Sequence, residues 1–168
     1  MAEPAAVPSS RPDRPVSGLG LGIIGAVVLI DQAAKAAAGA WLPAGRLVEI
    51  LPILSLYRVD NQGIAFSLFS GSSGLLLILV TLAITVLVLA FWWRAEDGGR
   101  AAAIGYALIV GGALGNLADR LRFGRVTDFL LLHFGSWTLF VFNLADAALT
   151  AGPVLLLLVY FLPARPRR

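Results

Sequence analysis

The stretch GGALGNLADRLRFGRVTDFLLLHFGSWTLFVFNLAD, residues 111–146, places three aspartates in a strongly apolar chain. Asp119 lies near the end of one apolar segment, Asp146 lies near the start of the next, and Asp128 lies on the connection between them. If both segments cross a membrane, the carboxylates gather at one face of the bilayer. A carboxylate at that depth is costly and indicates a functional site. The rest of the chain is interpreted as the scaffold of this arrangement.

The composition is that of a membrane protein. Of 168 residues, 58% are hydrophobic and 14% are charged, whereas soluble domains are about 45–50% apolar and about 25% charged. The net charge of +3 does not favour nucleic-acid binding, because the arginines fall at segment ends and in loops. The chain has no cysteine and one histidine, His133, which argues against disulfides and zinc clusters. We therefore expect neither a metal nor another cofactor.

Four apolar segments are each long enough to cross a bilayer, which takes about 20 mostly apolar residues. They comprise residues 18–42, 74–93, 101–119 and 143–162. The predicted organisation is one membrane domain, 18–162, with outer loops 43–73 and 120–142, between a disordered tail, 1–17, and a basic tail, 163–168.

The first long loop combines strand-like and helix-like patterns. Residues 47–50 and 54–59 predict short strands, interrupted by Pro52. Residues 60–63 predict a turn. The apolar patch 64–69 predicts a short interfacial helix.

The arginines favour an orientation with both termini in the cytoplasm, by seven on the inner side to five on the outer side. The outer five are Arg46, Arg58, Arg120, Arg122 and Arg125. An alternative for the first segment is a cleavable signal peptide, since basic residues precede its apolar run and Ala-Gly-Ala follows at 38–40.

Asp31 and Lys35 stand four residues apart and therefore share one helix face. They form either an intramembrane ion pair or part of a site. A Ser-Lys catalytic pair, with Lys35 as base and Ser55 or Ser67 as nucleophile, is another arrangement to consider. Glycine pairs at 18/22 and 111/115 predict close helix packing.

Polar residues recur at helical spacing on both sides of the second loop. Asn116, Asp119 and Arg120 fall at i, i+3 and i+4, on one face of the third helix. Asn143 and Asp146 repeat the i, i+3 spacing at the start of the fourth. Such residues at segment ends are typical of helix caps, and next to Arg120 we interpret Asp119 as structural.

Asp128 and Asp146 have no adjacent basic residue in the sequence. Two such carboxylates in a partly dry site share a proton, because like charges this close do not both ionise cheaply. The pair can activate a water and polarise a carbonyl. We expect the two carboxylates to lie within roughly 4–6 Å of each other.

Five ordered blocks resemble the lipoprotein signal peptidase (signal peptidase II) family. They are DQ with Lys35 at 31–35, NQGIAF at 61–66, GGALGNLADR at 111–120, GRVTDF at 124–129 and FNLAD at 142–146. Ala118 departs from the aromatic residue expected at its position. The blocks extend from the first span to the last and leave out only the two tails.

The resemblance implies a bacterial inner-membrane aspartyl peptidase with a membrane all-α core. Its four transmembrane helices carry a small β-rich cradle and a short amphipathic helix on the outer (periplasmic) side. Its substrate is a diacylglyceryl-modified prolipoprotein, cut just before the lipidated cysteine. The resemblance also implies contact with membrane lipid and inhibition by globomycin, and we expect a monomer.

By motif, the resemblance assigns Asp128 and Asp146 as the catalytic dyad. The implied supporting residues are Asp31, Lys35, Asn61, Gly63, Asn116, Arg120 and Asn143. Two other functions compete with this one. A small proton-coupled carrier would use the aspartates as a proton relay, and a Ser-Lys signal peptidase would depend on Lys35 instead.

Overall fold

The computed structural model describes residues 11–15, 17–61 and 74–162, and four helices dominate it. They are α1 (Gly18–Trp41), α2 (Gly74–Arg94), α3 (Gly99–Phe123) and α4 (Leu144–Phe161). Each is long and apolar enough to cross a membrane. The four predicted spans are confirmed. Their limits shift most at α3, which continues to Phe123 rather than ending at Asp119.

The central helix of the bundle is α3, which packs against the other three. Within its apolar span 61% of the residues are buried, against 11% for α1 and α2 and 17% for α4. Ala103 and Ala107 of α3 are fully buried. The outer helices leave large apolar side chains such as Leu29 and Leu75 exposed, which suits helices that face lipid.

Glycines let α3 approach its neighbours closely. A Cβ on Gly111 would lie 2.8 Å from a side chain of α1, and one on Gly115 would lie 2.9 Å from the Asp31 carboxylate. The predicted close packing of this pair is confirmed. The same prediction for Gly18 and Gly22 is wrong, because no described atom lies within 4 Å of a Cβ at either position.

We expect Gly112→Ala to destabilise the bundle. A Cβ there would overlap the carbonyl oxygen of Ala145 in α4, so the two helices must separate. Such overpacking costs about 1–3 kcal/mol. Gly25→Ala is the matched control, because nothing lies within 4 Å of its Cβ and removing an interior helix glycine stabilises by about 0.5–1 kcal/mol. Thermal unfolding followed by circular dichroism in detergent measures both, and equal effects would contradict this packing.

The two long loops come together as one antiparallel sheet. Its strands are β1 (Leu47–Leu51), β2 (Leu54–Asn61), β3 (Val126–Phe134) and β4 (Trp137–Phe142), in the spatial order β1-β2-β3-β4. The pairing of β2 with β3 joins the loop after α1 to the loop after α3. The small β-rich cradle is therefore confirmed. The short helix expected at 64–69 lies outside the described residues.

Two details of the loops differ from the predictions. Asp60 and Asn61, where a turn is predicted, continue β2, because both pair with residues of β3. The second loop contains a hairpin of β3 and β4, which its residue pattern does not predict. Its turn includes Gly135 at a φ of 55°, a conformation that glycine adopts without strain.

The residues before α1 make defined contacts, which differs from the predicted disordered tail. The Arg14 guanidinium donates to the backbone carbonyl oxygen of Trp93 at 2.8 Å and lies 5.0 Å from the centroid of the Trp93 ring. The indole nitrogen of Trp92 donates to the carbonyl oxygen of Asp13 at 2.7 Å. These contacts tie residues 11–15 to the end of α2. Residues 1–10 and 16 lie outside the described residues.

Candidate active site

Asp146 is positioned by the first turn of α4. Asn143 is the N-cap of this helix, and its side-chain oxygen accepts a hydrogen bond from the Asp146 backbone N–H at 2.9 Å. The Asp146 carboxylate accepts one in return from the Asn143 backbone N–H at 3.3 Å. This reciprocal capping box fixes the Asp146 carboxylate at the N-terminus of α4.

Asp128 is positioned by β3, at the centre of the sheet. Successive side chains of a strand point to opposite faces, and Asp128 points to the face that meets the start of α4, where it is 3% exposed. Its two carboxylate oxygens accept hydrogen bonds from the side-chain amides of Asn143 at 2.6 Å and Asn61 at 2.9 Å. Asn143 therefore contacts both aspartates, through its amide and its backbone.

Asn116 of α3 links this pair to the membrane interior. Its amide nitrogen donates to the Asp146 carboxylate at 2.7 Å. Its oxygen accepts hydrogen bonds from the Asn143 amide at 3.2 Å and from the Lys35 ammonium at 2.9 Å. The Asn116 amide thus orients the Asp146 carboxylate and is itself oriented by the Lys35 ammonium.

Lys35 is held between two buried carboxylates. Its nitrogen lies 2.8 Å from Asp31 and 3.0 Å from Asp119, and all three side chains are at most 5% exposed. Asp31 also accepts from the Ala145 backbone N–H of α4 at 2.9 Å, and Asp119 accepts from Gln32 at 2.8 Å. In the part of the chain that the structure describes, every buried polar side-chain atom has a hydrogen-bond partner.

The two aspartates line one cavity of about 780 Å³. Its polar end is formed by Asn61, Asn116, Arg120, Asp128 and Asp146. The remaining wall is mostly apolar and comes largely from α2, α4 and β4, with Ala113 of α3 and Val126 of β3. The α2 residues Leu77, Val80, Thr81 and Ile84 lie on one helix face, as do the α4 residues Ala147, Thr150, Ala151 and Val154.

The surroundings of Asp128 favour its protonated form. Burial raises the pKa of this carboxyl from 3.8 to about 6, and the charge of Asp146 acts in the same direction. Hydrogen bonds from Asn61 and Asn143 and the charge of Lys35 oppose the shift. The folded protein therefore holds this proton more tightly than the unfolded chain, so ionised Asp128 lowers stability as pH rises from about 4 to about 6.

We expect Asp128→Asn to raise the melting temperature at pH 7.5 but not at pH 4. A pKa shift of two units corresponds to about 3 kcal/mol of stability. The new asparagine faces the two N–H donors of Asn61 and Asn143, and its own NH₂ group cannot accept from either, which loses part of that stability. The net gain is therefore about 1–2 kcal/mol. A gain that is independent of pH would contradict a raised pKa at Asp128.

The structure brings most of the predicted site residues into one network. These residues are Asp31, Lys35, Asn61, Asn116, Arg120, Asp128, Asn143 and Asp146. Gly63 lies outside the described residues. Asp119 joins this network through Lys35, Gln32 and the Thr127 backbone N–H, in addition to an electrostatic interaction with its neighbour Arg120.

Gln32, which follows Asp31 directly, belongs to this network although it is not among the predicted site residues. Its amide donates to Asp119 and to the Gly115 carbonyl oxygen at 3.2 Å, so it supports the Lys35 cluster from the side. The only available signal was its place in the resemblance block that begins at Asp31.

The Ser-Lys arrangement does not form with Ser55. Its hydroxyl lies 2.8 Å from the ring of His133, and both side chains are buried. The Lys35 nitrogen is occupied by Asp31, Asp119 and Asn116. Ser67 lies outside the described residues.

Comparisons with known proteins agree on one family. The family model for signal peptidase (SPase) II matches residues 23–162. The lipoprotein signal peptidase of Sinorhizobium fredii is 42% identical over 141 residues, which cover 84% of this chain and 85% of the relative. That of Brucella ovis is 43% identical over 141 residues, which cover 84% of this chain and 88% of the relative.

Solved structures show the same fold. A bacterial membrane enzyme determined by the in meso method at 1.9 Å resolution superposes with a TM-score of 0.78 at 25% identity, over 92% of this chain and 99% of that one. A second, at 2.3 Å resolution, gives a TM-score of 0.78 at 24% identity, over 95% and 99%. With the family model and the relatives in agreement, the chain belongs to the signal peptidase II family and is a multi-pass membrane protease that acts in signal peptide processing.

Proposed function

We propose that this protein is an aspartyl endopeptidase of the bacterial inner membrane that removes the signal peptide from diacylglyceryl-modified prolipoproteins. It cuts just before the lipidated cysteine. The observation that carries the proposal is the position of Asp128 and Asp146 at the polar end of an otherwise apolar cavity. Each carboxylate is oriented there by side-chain amides.

In the proposed reaction, the two carboxylates share one proton. The ionised one takes a proton from a water molecule while the water oxygen attacks the scissile carbonyl carbon. The protonated one gives its proton to the carbonyl oxygen, which produces a tetrahedral diol. The first carboxylate then gives the proton that it took from water to the amide nitrogen, the C–N bond breaks, and the lipidated cysteine leaves with a free amine. One hydroxyl of the diol returns its proton to the second carboxylate, so the signal peptide leaves with a new C-terminal carboxylic acid. The resting dyad is restored with one proton.

The supporting residues hold this dyad in place. Asn61, Asn116 and Asn143 donate to the carboxylates, so their amides limit how each acid can rotate. Arg120 lines the same end of the cavity and interacts electrostatically with both acids. Its positive charge is suited to stabilising the oxyanion that develops at the scissile carbonyl.

The shape of the cavity supports a lipid-bearing substrate. One face of α2 and one face of α4 line it with mostly apolar side chains. A signal peptide is itself an apolar helix, and its diacylglyceryl chains require an apolar surface when they leave the lipid. A globomycin-type inhibitor would occupy this cavity. One chain supplies both acids, so a monomer is sufficient for the reaction.

The proposed position in the membrane places both termini in the cytoplasm and the dyad near the outer leaflet. The sheet, the end of α3 and the start of α4 lie together on one side of the bundle. The match to the family model includes most of α1. This favours a retained first helix over a cleaved signal peptide.

The proposal is tested with purified protein in liposomes and two matched substrates. One is a prolipoprotein carrying the diacylglyceryl group, and the other has serine in place of the lipidated cysteine. We expect cleavage of the first only, with the lipidated cysteine as the new N-terminus by mass spectrometry. Equal cleavage of both would reject lipid recognition. Proton flux without any cleavage would favour the carrier.

A further inference from the structure

A second cavity, of about 350 Å³, lies behind the sheet on the side of α1. The strands separate it from the dyad. In β3, Asp128 lines the first cavity and its neighbour Thr127 lines the second. In β2, Asn61 lines the first, whereas Arg58 and Asp60 line the second. Because side chains alternate along a strand, the two cavities are on opposite faces and are different sites.

The second cavity collects three of the five arginines on the proposed outer side of the membrane, Arg58, Arg122 and Arg125. Arg125 lies 3.3 Å from the Asp60 carboxylate. The other two have neutral partners among the described residues. Arg58 donates to the Gly39 carbonyl oxygen at 2.7 Å, and Arg122 donates to the Gln32 side-chain oxygen at 3.4 Å.

The charges of Arg58 and Arg122 therefore have no described counter-ion. The undescribed segment that follows β2, residues 62–73, contains no aspartate or glutamate that could supply one. The acids that line the cavity are committed elsewhere, because Asp60 pairs with Arg125 and Asp119 pairs with Lys35. A guanidinium offers five N–H donors, so each of these two has donors for an anionic ligand.

The cavity lies where helices leave the membrane. Gly39 is near the end of α1 and Arg122 is near the end of α3. Phe123, which lines the cavity, is 61% exposed, and Trp41 and Leu121, near the ends of the same two helices, are 87% and 65% exposed. Exposed aromatic residues at a helix end are typical of the level of lipid headgroups. A ligand here would have a charged end at the arginines and an apolar end along the helices.

We propose that this cavity binds the phosphate of an anionic phospholipid of the surrounding leaflet. The planar guanidinium matches phosphate oxygens in two-point hydrogen bonds, and the exposed apolar surface beside it accommodates acyl chains. The site also explains why arginines are retained on the side of the membrane where the positive-inside rule disfavours them. The inference rests on the membrane position proposed above but not on the aspartate mechanism.

The test measures lipid binding and requires no cleavage. The purified full chain in detergent is titrated with phosphatidylglycerol or phosphatidylcholine, and bound lipid is counted by native mass spectrometry alongside the melting temperature. We expect phosphatidylglycerol to bind and to raise the melting temperature with concentration, as a ligand of the folded state does. Arg58→Gln and Arg122→Gln should each weaken its binding about tenfold or more.

Matched variants and a free anion make the result decisive. Arg46→Gln removes an exposed arginine from the same side but outside the cavity, and should bind as the wild type does. Arg122→Lys keeps the charge and should recover part of the binding if Arg122→Gln folds poorly. Equal binding of the two lipids, or equal loss in Arg46→Gln, would overturn the proposal. Equal stabilisation by inorganic phosphate alone would show that the site does not require a lipid, and would overturn it too.

Discussion

Asp128→Asn and Asp146→Asn should each reduce cleavage of a lipidated prolipoprotein by about 10³-fold or more, while leaving the protein folded and inserted. General acid and base catalysis contributes about 10²–10⁴-fold, and an amide neither takes up nor delivers a proton at neutral pH. Asparagine has almost the same shape as aspartate, so the apolar cavity around it is kept. The measurement is the initial rate in liposomes at saturating substrate.

Two further variants separate a dyad from two independent carboxylates. The double variant should be no slower than the worse single variant, because groups that act as a unit are not additive. Asp60→Asn is the control, since Asp60 is one residue from Asn61 but faces the second cavity. Normal prolipoprotein processing by either single variant, in cells lacking another copy of the enzyme, would reject the catalytic assignment.

Local rules predicted Asp146 well, because its position depends on residues three apart. The spacing of Asn143 and Asp146 indicates a helix cap, and the capping box of α4 forms as expected. The same applies to Asp31 and Lys35, whose i, i+4 spacing forms an ion pair of 2.8 Å. In both cases one helix turn carries the whole signal.

Contacts between distant parts of the chain could not be predicted in this way. Lys35 also pairs with Asp119, which is on another helix. The sequence suggested Arg120, next to Asp119, as the partner of this aspartate. The pairing of Asn61 with Asp128 depends on the register of β2 against β3. The resemblance placed these residues in one site, but spacing alone did not.

The strand β3 was missed for a physical reason. A strand with one buried face normally alternates apolar and polar residues, but residues 129–132 read FLLL. A short continuous apolar run does not distinguish a buried strand from a buried helix segment. In the folded chain Phe129 and Leu131 are both buried, because the strand lies between β2 and β4 and against the helices. Burial of that kind is a property of the tertiary structure.

Lys35→Met should lower the stability of the whole bundle by about 3–5 kcal/mol, the cost of leaving buried carboxylates without their counter-charge. Asp31 is 0% exposed and Asp119 is 2% exposed, so water cannot replace the ammonium. For a chain of this size, that loss corresponds to a melting temperature lower by roughly 6–20 °C. Circular dichroism in detergent measures it.

The same variant distinguishes a structural role of Lys35 from a catalytic one. Adding Asp31→Asn and Asp119→Asn to Lys35→Met removes all three charges, and should restore much of the lost stability because no unpaired charge stays buried. Activity should recover with it only in part, since Asn116 still lacks the ammonium that orients its oxygen. Full activity in Lys35→Met itself would contradict the network. A triple variant that is stable but wholly inactive would mean that Lys35 contributes to the reaction and not only to the fold.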